Sequence, residues 1–289
     1  MITGGIVRAM AFALVLSGCA ATPLHMPVYA GDPPPPRSQA QVAHLLSGAD
    51  PAAAREDAAA APLRVVLVSG AKDHGEGEHD YPAWREVWSG LLGGAAHTEI
   101  DTALEFPSAE QIAWADVLVF FQRGRWDDAR AAAIDPFLAR GGGAVYIHWA
   151  IDGRGGQAAF AERIGLASLG GSIRYRHGDM NIDLTPGAAH PIARNFTTLD
   201  LRDEAYWELT GDATRLDLIG ASTEDGAPRP MFWTIERGRG RVFVSVPGHF
   251  SWTFDDPAFR LLLLRAIAWT GRRDVDRFNA LVTRDARME

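Results

Sequence analysis

The run Arg64-Val65-Val66-Leu67-Val68-Ser69 is the stretch that decides the fold of this 289-residue chain. Its apolar residues follow one another without alternation, which predicts a strand buried on both faces, as in a parallel sheet. Apolar residues then recur with a helical period over 81–92, and Pro82 suits the first turn of such a helix. Because parallel strands need a crossover connection, this order predicts a βαβ unit.

The alternation of strand and helix continues along the chain. Further strands are predicted at 98–104, 116–121 and 144–148, and helices at 107–113 and 127–139. The second of these helices is expected to bend at Pro136 and to end at the triple glycine 141–143. The pattern predicts an α/β protein with a doubly wound, mainly parallel sheet in three layers, of the flavodoxin-like type.

After Gly170 the pattern changes to short β segments interrupted by Gly, Pro and Asn. These segments predict added strands and long loops over one edge of the sheet, at 173–176, 181–184 and 216–222. The turn Gly238-Arg239-Gly240 separates two more, at 231–235 and 241–246, and is typical of a hairpin. An apolar stripe over 257–270 predicts a closing helix.

Residues 1–18 are typical of an export signal. One cation, Arg8, precedes the apolar run Ala9–Leu16, which is too short to span a bilayer. The ending Leu16-Ser17-Gly18-Cys19 resembles a bacterial lipobox. We therefore expect a lipid on Cys19 that anchors the protein in the cell envelope, at the periplasmic side of the outer membrane in a host with two membranes. A plain cleaved signal is the alternative.

Residues 19–62 are rich in Ala, Pro and Gly and include four consecutive prolines at 33–36. Polyproline favours extended backbone, and the flanking composition cannot bury enough apolar surface to fold. We expect a disordered tether over 19–62, with a short helix at 39–46 as the one candidate element. The α/β domain is then expected over 63–272, followed by a C-terminal tail at 273–289.

Charge and cysteine content exclude several functions. A formal net charge of −8 leaves no basic stripe for the phosphates of a nucleic acid, so no nucleic-acid partner is expected. Cys19 is the only cysteine, so no thiol remains for a disulfide, a zinc thiolate site or a nucleophile. The sequence also lacks a GxSxG serine elbow, and His148-Trp149-Ala150 follows the fourth strand. Amidotransfer and serine acyl transfer are therefore disfavoured, and no nucleotide cofactor is expected.

Histidine is the residue type that points to a site. Six of the nine histidines are expected in loops at the carboxyl ends of strands, where α/β proteins bind ligands: His74, His79, His148, His177, His190 and His249. Imidazoles and carboxylates bind Zn, Mn, Fe or Ni, and histidine is also the usual proton carrier near neutral pH. The spacing matches no closed zinc motif, so a divalent metal would need ligands from separate loops. A metal site and a metal-free acid–base site both fit this pattern.

Acidic and aromatic residues near these histidines suggest a carbohydrate ligand. The pair Asp203-Glu204 precedes Tyr206-Trp207, and Trp149 and Trp252 lie close to histidines in the chain. Carboxylates can bond the hydroxyls of a sugar while an aromatic ring packs on its C–H face. The predicted substrate contacts are His79, Asp80, Trp149, Tyr206 and Trp252.

A series of short motifs resembles the ThuA-like (trehalose-utilisation) family over about residues 64–272. In chain order they are Lys72-Asp73-His74-Gly75, Glu78-His79-Asp80-Tyr81, Gly141-Gly142-Gly143 leading to Ile147-His148, His190-Pro191-Ile192, Asp203-Glu204-Ala205-Tyr206, Gly238-Arg239-Gly240-Arg241-Val242-Phe243, Gly248-His249 and Asp256-Pro257-Ala258-Phe259. The resemblance implies a class I glutamine amidotransferase-like fold without the amidotransferase cysteine, and a role in sugar catabolism, particularly of keto-sugars derived from disaccharides. The chain departs from the family pattern at Gly178, where Pro is usual, and at Phe250, where Asp is usual.

The resemblance also implies which polar residues matter: His79, His148, His177, Glu204 and His249. Our first hypothesis is an enzyme that acts on a sugar or keto-sugar, by proton transfer next to a carbonyl or by hydrolysis. His148, His249 and Glu204 are the expected catalytic residues. The four histidines of this set are the expected metal ligands. The alternative is a non-catalytic carbohydrate-binding lipoprotein.

Overall fold

A nine-stranded sheet is the centre of the computed structural model, which describes residues 32–289. Its strands are β1 (Leu63–Ser69), β2 (Thr98–Leu104), β3 (Val117–Phe121), β4 (Gly143–Ile147), β6 (Arg174–Asp183), β7 (Thr198–Trp207), β9 (Asp217–Glu224), β10 (Ala227–Arg237) and β11 (Gly240–Ser245). They lie in the order β2-β1-β3-β4-β11-β10-β9-β6-β7. The first five in this order are parallel, and the other four are antiparallel to their neighbours. The predicted α/β sheet with β segments added in the C-terminal half is confirmed.

The helices are α1 (Gln39–Leu46), α2 (Pro51–Ala60), α3 (Tyr81–Gly93), α4 (Ala109–Trp114), α5 (Asp128–Ala139), α6 (Gln157–Ile164), α7 (Ser251–Asp255) and α8 (Pro257–Thr270). Two short strands, β5 (Leu166–Ala167) and β8 (Thr210–Gly211), form a separate antiparallel pair. The four helices predicted in the domain correspond to α3, α4, α5 and α8, with small shifts of their ends. No helix among residues 32–289 is both long and apolar enough to cross a bilayer.

Helices cover both faces of the parallel part of the sheet. Phe121 of β3 lies against Trp84 of α3, with ring centroids 5.2 Å apart. Its neighbour Phe120 stacks on Tyr146 of β4, which in turn meets Phe160 of α6. Because successive side chains of a strand point to opposite faces, α3 and α6 lie on opposite sides of the sheet. The result is the predicted three-layer arrangement.

The parallel strands bring three connections to one edge of the sheet. β1, β3, β4 and β11 are neighbours and run in the same direction, so their carboxyl ends open on the same side. Residues 70–80 follow β1, His148 follows β4 directly, and residues 246–250 follow β11. Segments that are distant in the chain therefore meet where ligands bind in open α/β sheets.

The C-terminal half is more regular than the sequence predicted. The segments expected at 173–176 and 181–184 form one continuous strand, β6, which pairs along its length with β7. β7 was not predicted, and it contains Asp203 and Glu204, while β6 contains His177; the placement of these residues in loops is wrong. β6 alternates polar and apolar residues and has Gly178 at a φ of 135°, so it lacks the continuous apolar run of the central strands.

The prediction of a disordered tether is wrong for residues 32–62, which contain α1 and α2, whereas the candidate helix at 39–46 is confirmed as α1. Val42 of α1 is buried, and Arg265 of α8 donates to the carbonyl oxygen of Leu45 at 3.0 Å. Arg37 pairs with Asp256, with Nε and Oδ2 2.8 Å apart. These contacts with the domain stabilise a segment whose own composition provides too little apolar surface to fold. The predicted signal at 1–18 and the lipid site at Cys19 lie outside the described residues, so envelope anchoring stays a prediction.

Residues 273–289 also pack on the domain. Phe278 and Val282 are buried in the core, and Met288 forms a parallel bridge with Arg37. The domain therefore extends beyond the predicted boundary at residue 272 to the end of the chain.

We expect a chain starting at residue 63 to be about 2–5 kcal/mol less stable than one starting at residue 32. The shorter chain loses the burial of Val42, worth about 1.5 kcal/mol, and leaves the buried guanidinium of Arg265 without one acceptor. Urea unfolding of both proteins measures the difference. In the longer chain, Val42→Ala should reproduce part of the loss. Equal midpoints for the two truncations would show that α1 and α2 add no stability.

Candidate functional site

Four buried side chains converge at the carboxyl edge of the sheet. His79 follows β1, His148 follows β4, His249 follows β11, and Glu204 lies in β7. One nitrogen or oxygen from each lies within 4.8 Å of those of the other three. We call these four residues the imidazole cluster. The sequence predicted its three histidines as metal ligands, with His177 as the fourth. The fourth member of the cluster is instead Glu204, which the sequence predicted as a catalytic residue.

The distances within the cluster are short. Nε2 of His148 lies 2.9 Å from Nε2 of His79, 3.3 Å from Nδ1 of His249 and 3.4 Å from Oε2 of Glu204. Nδ1 of His249 lies 2.9 Å from Oε2 of Glu204. His177 is the cross-strand partner of Glu204 and lies just outside, with its Nε2 3.7 Å from Oε2 of Glu204.

Two of the cluster histidines have a strained backbone. His79 and His148 have φ angles of 43° and 54°, in the left-handed region that residues other than glycine rarely occupy. Such conformations cost about 1 kcal/mol or more each and concentrate at functional sites. Hydrogen bonds hold them: the amide of His79 donates to the carbonyl of His249 at 3.0 Å, and the hydroxyl of Tyr206 donates to the carbonyl of His148 at 2.6 Å.

The outer contacts of His79 and His148 fix their tautomers. Nδ1 of His148 lies 2.7 Å from the carbonyl oxygen of Val246, which can only accept, so this nitrogen carries a hydrogen. Nδ1 of His79 lies 2.9 Å from Oδ1 of Asp73 and also 2.9 Å from the hydroxyl of Tyr81. Because the carboxylate of Asp73 is ionised, it favours a hydrogen on Nδ1 of His79 as well. Two neutral rings would then direct Nε2 lone pairs at each other across 2.9 Å, so this contact needs either a proton on one Nε2 or a metal ion bound by both nitrogens.

Asp203 supports the loop that carries His249. Its Oδ1 accepts from the amides of His249 and Glu204 at 2.8 and 2.7 Å. Its Oδ2 accepts from the amide of Gly248 at 3.2 Å and from the hydroxyl of Thr253. This buried carboxylate ties β7 to the turn after β11 and so sets the distance between Glu204 and His249.

Burial and mutual contacts move the pKa values of the cluster apart. Burial lowers the pKa of His79 to about 3, so this ring is neutral at pH 7. Burial opposes a charge on His148 as well, but its contact with Glu204 raises the pKa of His148 above its usual value. Burial alone would raise the pKa of Glu204, whereas hydrogen bonds from His148 and His249 lower it. Without a metal, the contact with Glu204 therefore favours the protonated form of His148 beside a carboxylate.

The cluster forms one wall of a cavity of 360 Å³. His79, Glu204 and His249 line this cavity, and His148 lies behind them, fully buried. The half-exposed rings of His74 and His177 line it too, with the aromatic rings of Trp149 and Tyr175. We call this space the sugar cavity, for the role proposed below.

Several predicted site residues lie elsewhere. Asp80 caps α3, where its Oδ1 accepts from the amide of Ala83. Tyr206 and Trp252 donate to the carbonyl oxygens of His148 and Arg202. None of these three lines the sugar cavity, whereas Trp149 does. His190 is remote from the cluster; its ring packs on Trp269 at 4.7 Å and lies 4.0 Å from Asp217.

No role was predicted for three residues that line the sugar cavity, Asp73, Arg123 and Tyr175, and His74 was predicted only as one of the six histidines at strand ends. A signal for Tyr175 was present. Ile173, Tyr175 and His177 alternate along the chain, as residues on one face of a strand do, and all three line the cavity. Recognising β6 as a single strand would have identified Tyr175 from the position of His177.

Comparison with known proteins gives the same family as the motifs. A family model described as ThuA, trehalose utilisation, matches residues 64–270. A solved ThuA-like protein from Parabacteroides merdae is 17% identical, with a TM-score of 0.58 over 73% of this chain and 90% of that chain. One from Bacteroides uniformis is 16% identical, with a TM-score of 0.59 over 73% of this chain and 92% of that chain. At these identities the structures support the fold alone, and they agree with the class I glutamine amidotransferase-like type. A comparison with curated proteins found no match.

Proposed function

Because this chain belongs to the ThuA (trehalose utilisation) family, we propose that it is an enzyme that acts on a sugar or keto-sugar bound against the imidazole cluster. The family match supports a sugar-related role. The observation that carries the proposal is the convergence of three histidines and a carboxylate, buried and close-packed, on an open cavity. Buried titratable groups with pKa values moved in opposite directions are typical of catalytic sites.

The walls of the sugar cavity suit a carbohydrate. The ring of Tyr175 is 63% exposed, which is unusual for a large aromatic residue, and Trp149 lines the same space. A sugar can pack its C–H face on such rings while its hydroxyls bond polar groups. Asp73, His74 and His177 offer those polar groups around the same cavity.

We further propose that the imidazole cluster holds one divalent metal, Zn, Mn, Fe or Ni. Donor atoms of a tetrahedral zinc site, with bonds of about 2.0–2.1 Å, lie about 3.3 Å apart. Four of the six separations between donor atoms in the cluster are 2.9 to 3.4 Å, and all six are within 4.8 Å. Asp73 and the carbonyl of Val246 bond the outer nitrogens of His79 and His148, the arrangement that orients histidine ligands. A metal would satisfy the facing lone pairs and, when bound, would polarise a substrate carbonyl or activate water.

His177 and His74 are then the proton carriers of the site. Both rings are half-exposed in the sugar cavity, and both pack near His249, with centroid distances of 4.7 and 5.5 Å. His74 is also bonded to Asp73, with Nδ1 and Oδ1 2.9 Å apart. From these positions they can take a proton from a carbon beside a carbonyl, or from water, and return one to the product. The proposed reaction is therefore isomerisation or hydrolysis.

The test is the metal content and turnover of an untagged chain starting at residue 32. We expect one metal per chain, and turnover of the 3-keto derivative of trehalose that a chelator removes and added metal restores. His97→Asn, which alters an exposed histidine outside the cluster, should change neither. Sugar binding without turnover would support the carbohydrate-binding alternative instead. Absence of both metal and turnover would contradict the proposal.

A further inference from the structure

A second cavity of 360 Å³ adjoins the sugar cavity and shares Asp73 and Arg123 with it. Four arginines line it, against the two carboxylates of Asp73 and Glu105: Arg123, Arg125, Arg130 and Arg154. Such a group of cations is unexpected in a chain with a formal net charge of −8. We call this second space the arginine cavity.

The fold places the arginine cavity where α/β sheets bind ligands. Gly70 and Ala71 follow β1, Glu105 follows β2, and Arg123 and Arg125 follow β3. β2 lies on one side of β1 and β3 on the other, so the chain changes direction across the sheet at β1. Ligands of open α/β sheets bind at such a switch point.

Much of the positive charge in the arginine cavity is not neutralised by the protein. Arg130 donates to the carbonyl oxygens of Arg125 and Glu105, at 2.9 and 3.3 Å. Within residues 32–289, no carboxylate oxygen lies within 4.0 Å of the guanidinium of Arg130 or Arg154. Arg125 is paired with Asp127 at 2.7 Å, and Nε of Arg123 is 3.8 Å from Oδ2 of Asp152.

The two carboxylates in the arginine cavity are already engaged. Oε1 of Glu105 accepts from the amide of Ala71 at 3.3 Å. Oδ1 of Asp73 is bonded to His74 and His79, both at 2.9 Å. The residues that line the cavity thus carry four positive and two negative charges, and Arg123 connects this cavity with the sugar cavity.

We propose that the arginine cavity is an anion subsite, so that the site binds a sugar or keto-sugar carrying a phosphate or a carboxylate group in preference to the neutral sugar. This inference rests on the proposed function, because it assigns the anionic end of a molecule whose sugar ring lies in the sugar cavity. Planar guanidinium groups bind both anions through paired N–H donors, which makes arginine the preferred residue for them. Arg123 lines both cavities and would contact the substrate at the point where the sugar ring is joined to the anionic group.

Calorimetry on the chain starting at residue 32, with four separate probes, tests the subsite: glucose, glucose 6-phosphate, glucuronate and inorganic phosphate. We expect at least one of the two anionic sugars to bind about tenfold more tightly than glucose at low salt, and the preference to shrink in 0.5 M NaCl. Arg154→Gln, which alters an exposed side chain lining only the arginine cavity, should remove most of the preference and leave glucose affinity unchanged. Arg55→Gln removes the same charge from exposed α2 and should have no effect.

The outcomes separate the subsite from the proposed function. Tighter binding of glucose 6-phosphate identifies a phosphate ligand, and tighter binding of glucuronate a carboxylate. If all three sugars bind equally, or if Arg154→Gln keeps the full preference, the subsite is overturned and the sugar function stands. A third outcome is that inorganic phosphate binds, that Arg154→Gln abolishes its binding, and that none of the sugars binds. In that case the anion site stands and the proposed function fails. If no probe binds, both are overturned.

Discussion

Glu204→Gln is expected to abolish binding of the proposed metal at the imidazole cluster and to reduce the proposed turnover by about 1000-fold or more. The amide has nearly the same shape as the carboxylate but carries no charge, and Glu204 is the only acid in the group of four. A bound divalent metal contributes several kcal/mol to stabilising a transition state, which corresponds to about this factor in rate. Metal analysis after dialysis and steady-state kinetics measure the two effects.

The matched control for this prediction is Glu78→Gln. Oε1 of Glu78 lies 3.7 Å from Nε2 of His249, so the variant removes a similar charge near the cluster without removing a proposed ligand. It should keep one metal per chain. A Glu204→Gln protein with a full equivalent of metal and normal turnover would show that Glu204 is not a ligand.

The metal-free protein is expected to lose about 3 kcal/mol of stability as the pH falls from 6.5 to 4, because of His79. Its pKa is about 3 in the folded protein, against a usual value of 6.5. Between these values the unfolded chain binds a proton at this position and the folded chain does not. Acid therefore favours unfolding, by about 1.4 kcal/mol per pH unit for one group.

The pKa shifts of Glu204 and His148 change the stability of the protein in different pH ranges. The lowered pKa of Glu204 stabilises the folded state at pH values above 4.5, the usual value. This contribution is lost as the pH falls from 4.5 toward the lowered pKa. The raised pKa of His148 stabilises the folded state below 6.5, and this contribution is lost as the pH rises through the folded value. In the range 4.5 to 6.5, the acid-induced loss of stability is thus due mainly to His79.

Urea unfolding of chelator-treated protein at several pH values between 4 and 7 measures how the free energy of unfolding falls with acid, which we call the acid limb. His79→Gln should flatten this limb, because glutamine does not titrate. His97→Asn, which alters an exposed histidine, should leave the slope unchanged. An unchanged slope in His79→Gln would mean that His79 titrates normally in the folded protein.

The parallel half of the fold could be predicted because each of its strands is a continuous apolar run, as in Val65–Val68. The antiparallel half could not be predicted in detail. Buried residues of β6 occur only in its second half, and β7 changes along its length from alternating to continuously buried residues, so neither strand has the uniform apolar run of the central strands. The helix α1 was a candidate from the sequence, but the packing of its segment on the domain could not be predicted, since it depends on Arg265 and Asp256, more than 200 residues away in sequence.

The site was predictable in part for the same physical reason. Residues that end parallel strands, such as His148, must meet at one edge of the sheet, so their approach follows from the strand pattern. The position of Glu204 depends instead on the register of β7 with β6, in which it faces His177. The contribution of Asp203, which fixes the turn at His249, requires the tertiary structure itself.

Arg37 contacts both the end of the chain and the start of α8. These contacts, which we call the clasp, have a mechanical consequence. Arg37 bridges Met288, accepts from the amide of Glu289 at 3.0 Å and pairs with Asp256 at the start of α8. A pull on the N-terminal end, such as the predicted lipid at Cys19 would exert, reaches this clasp and α1 before it reaches the sheet. The strands that carry the cluster histidines, β1, β4 and β11, lie in the interior of the sheet and are shielded from that load. The geometry of the imidazole cluster is thus isolated from a load applied to the N-terminal end.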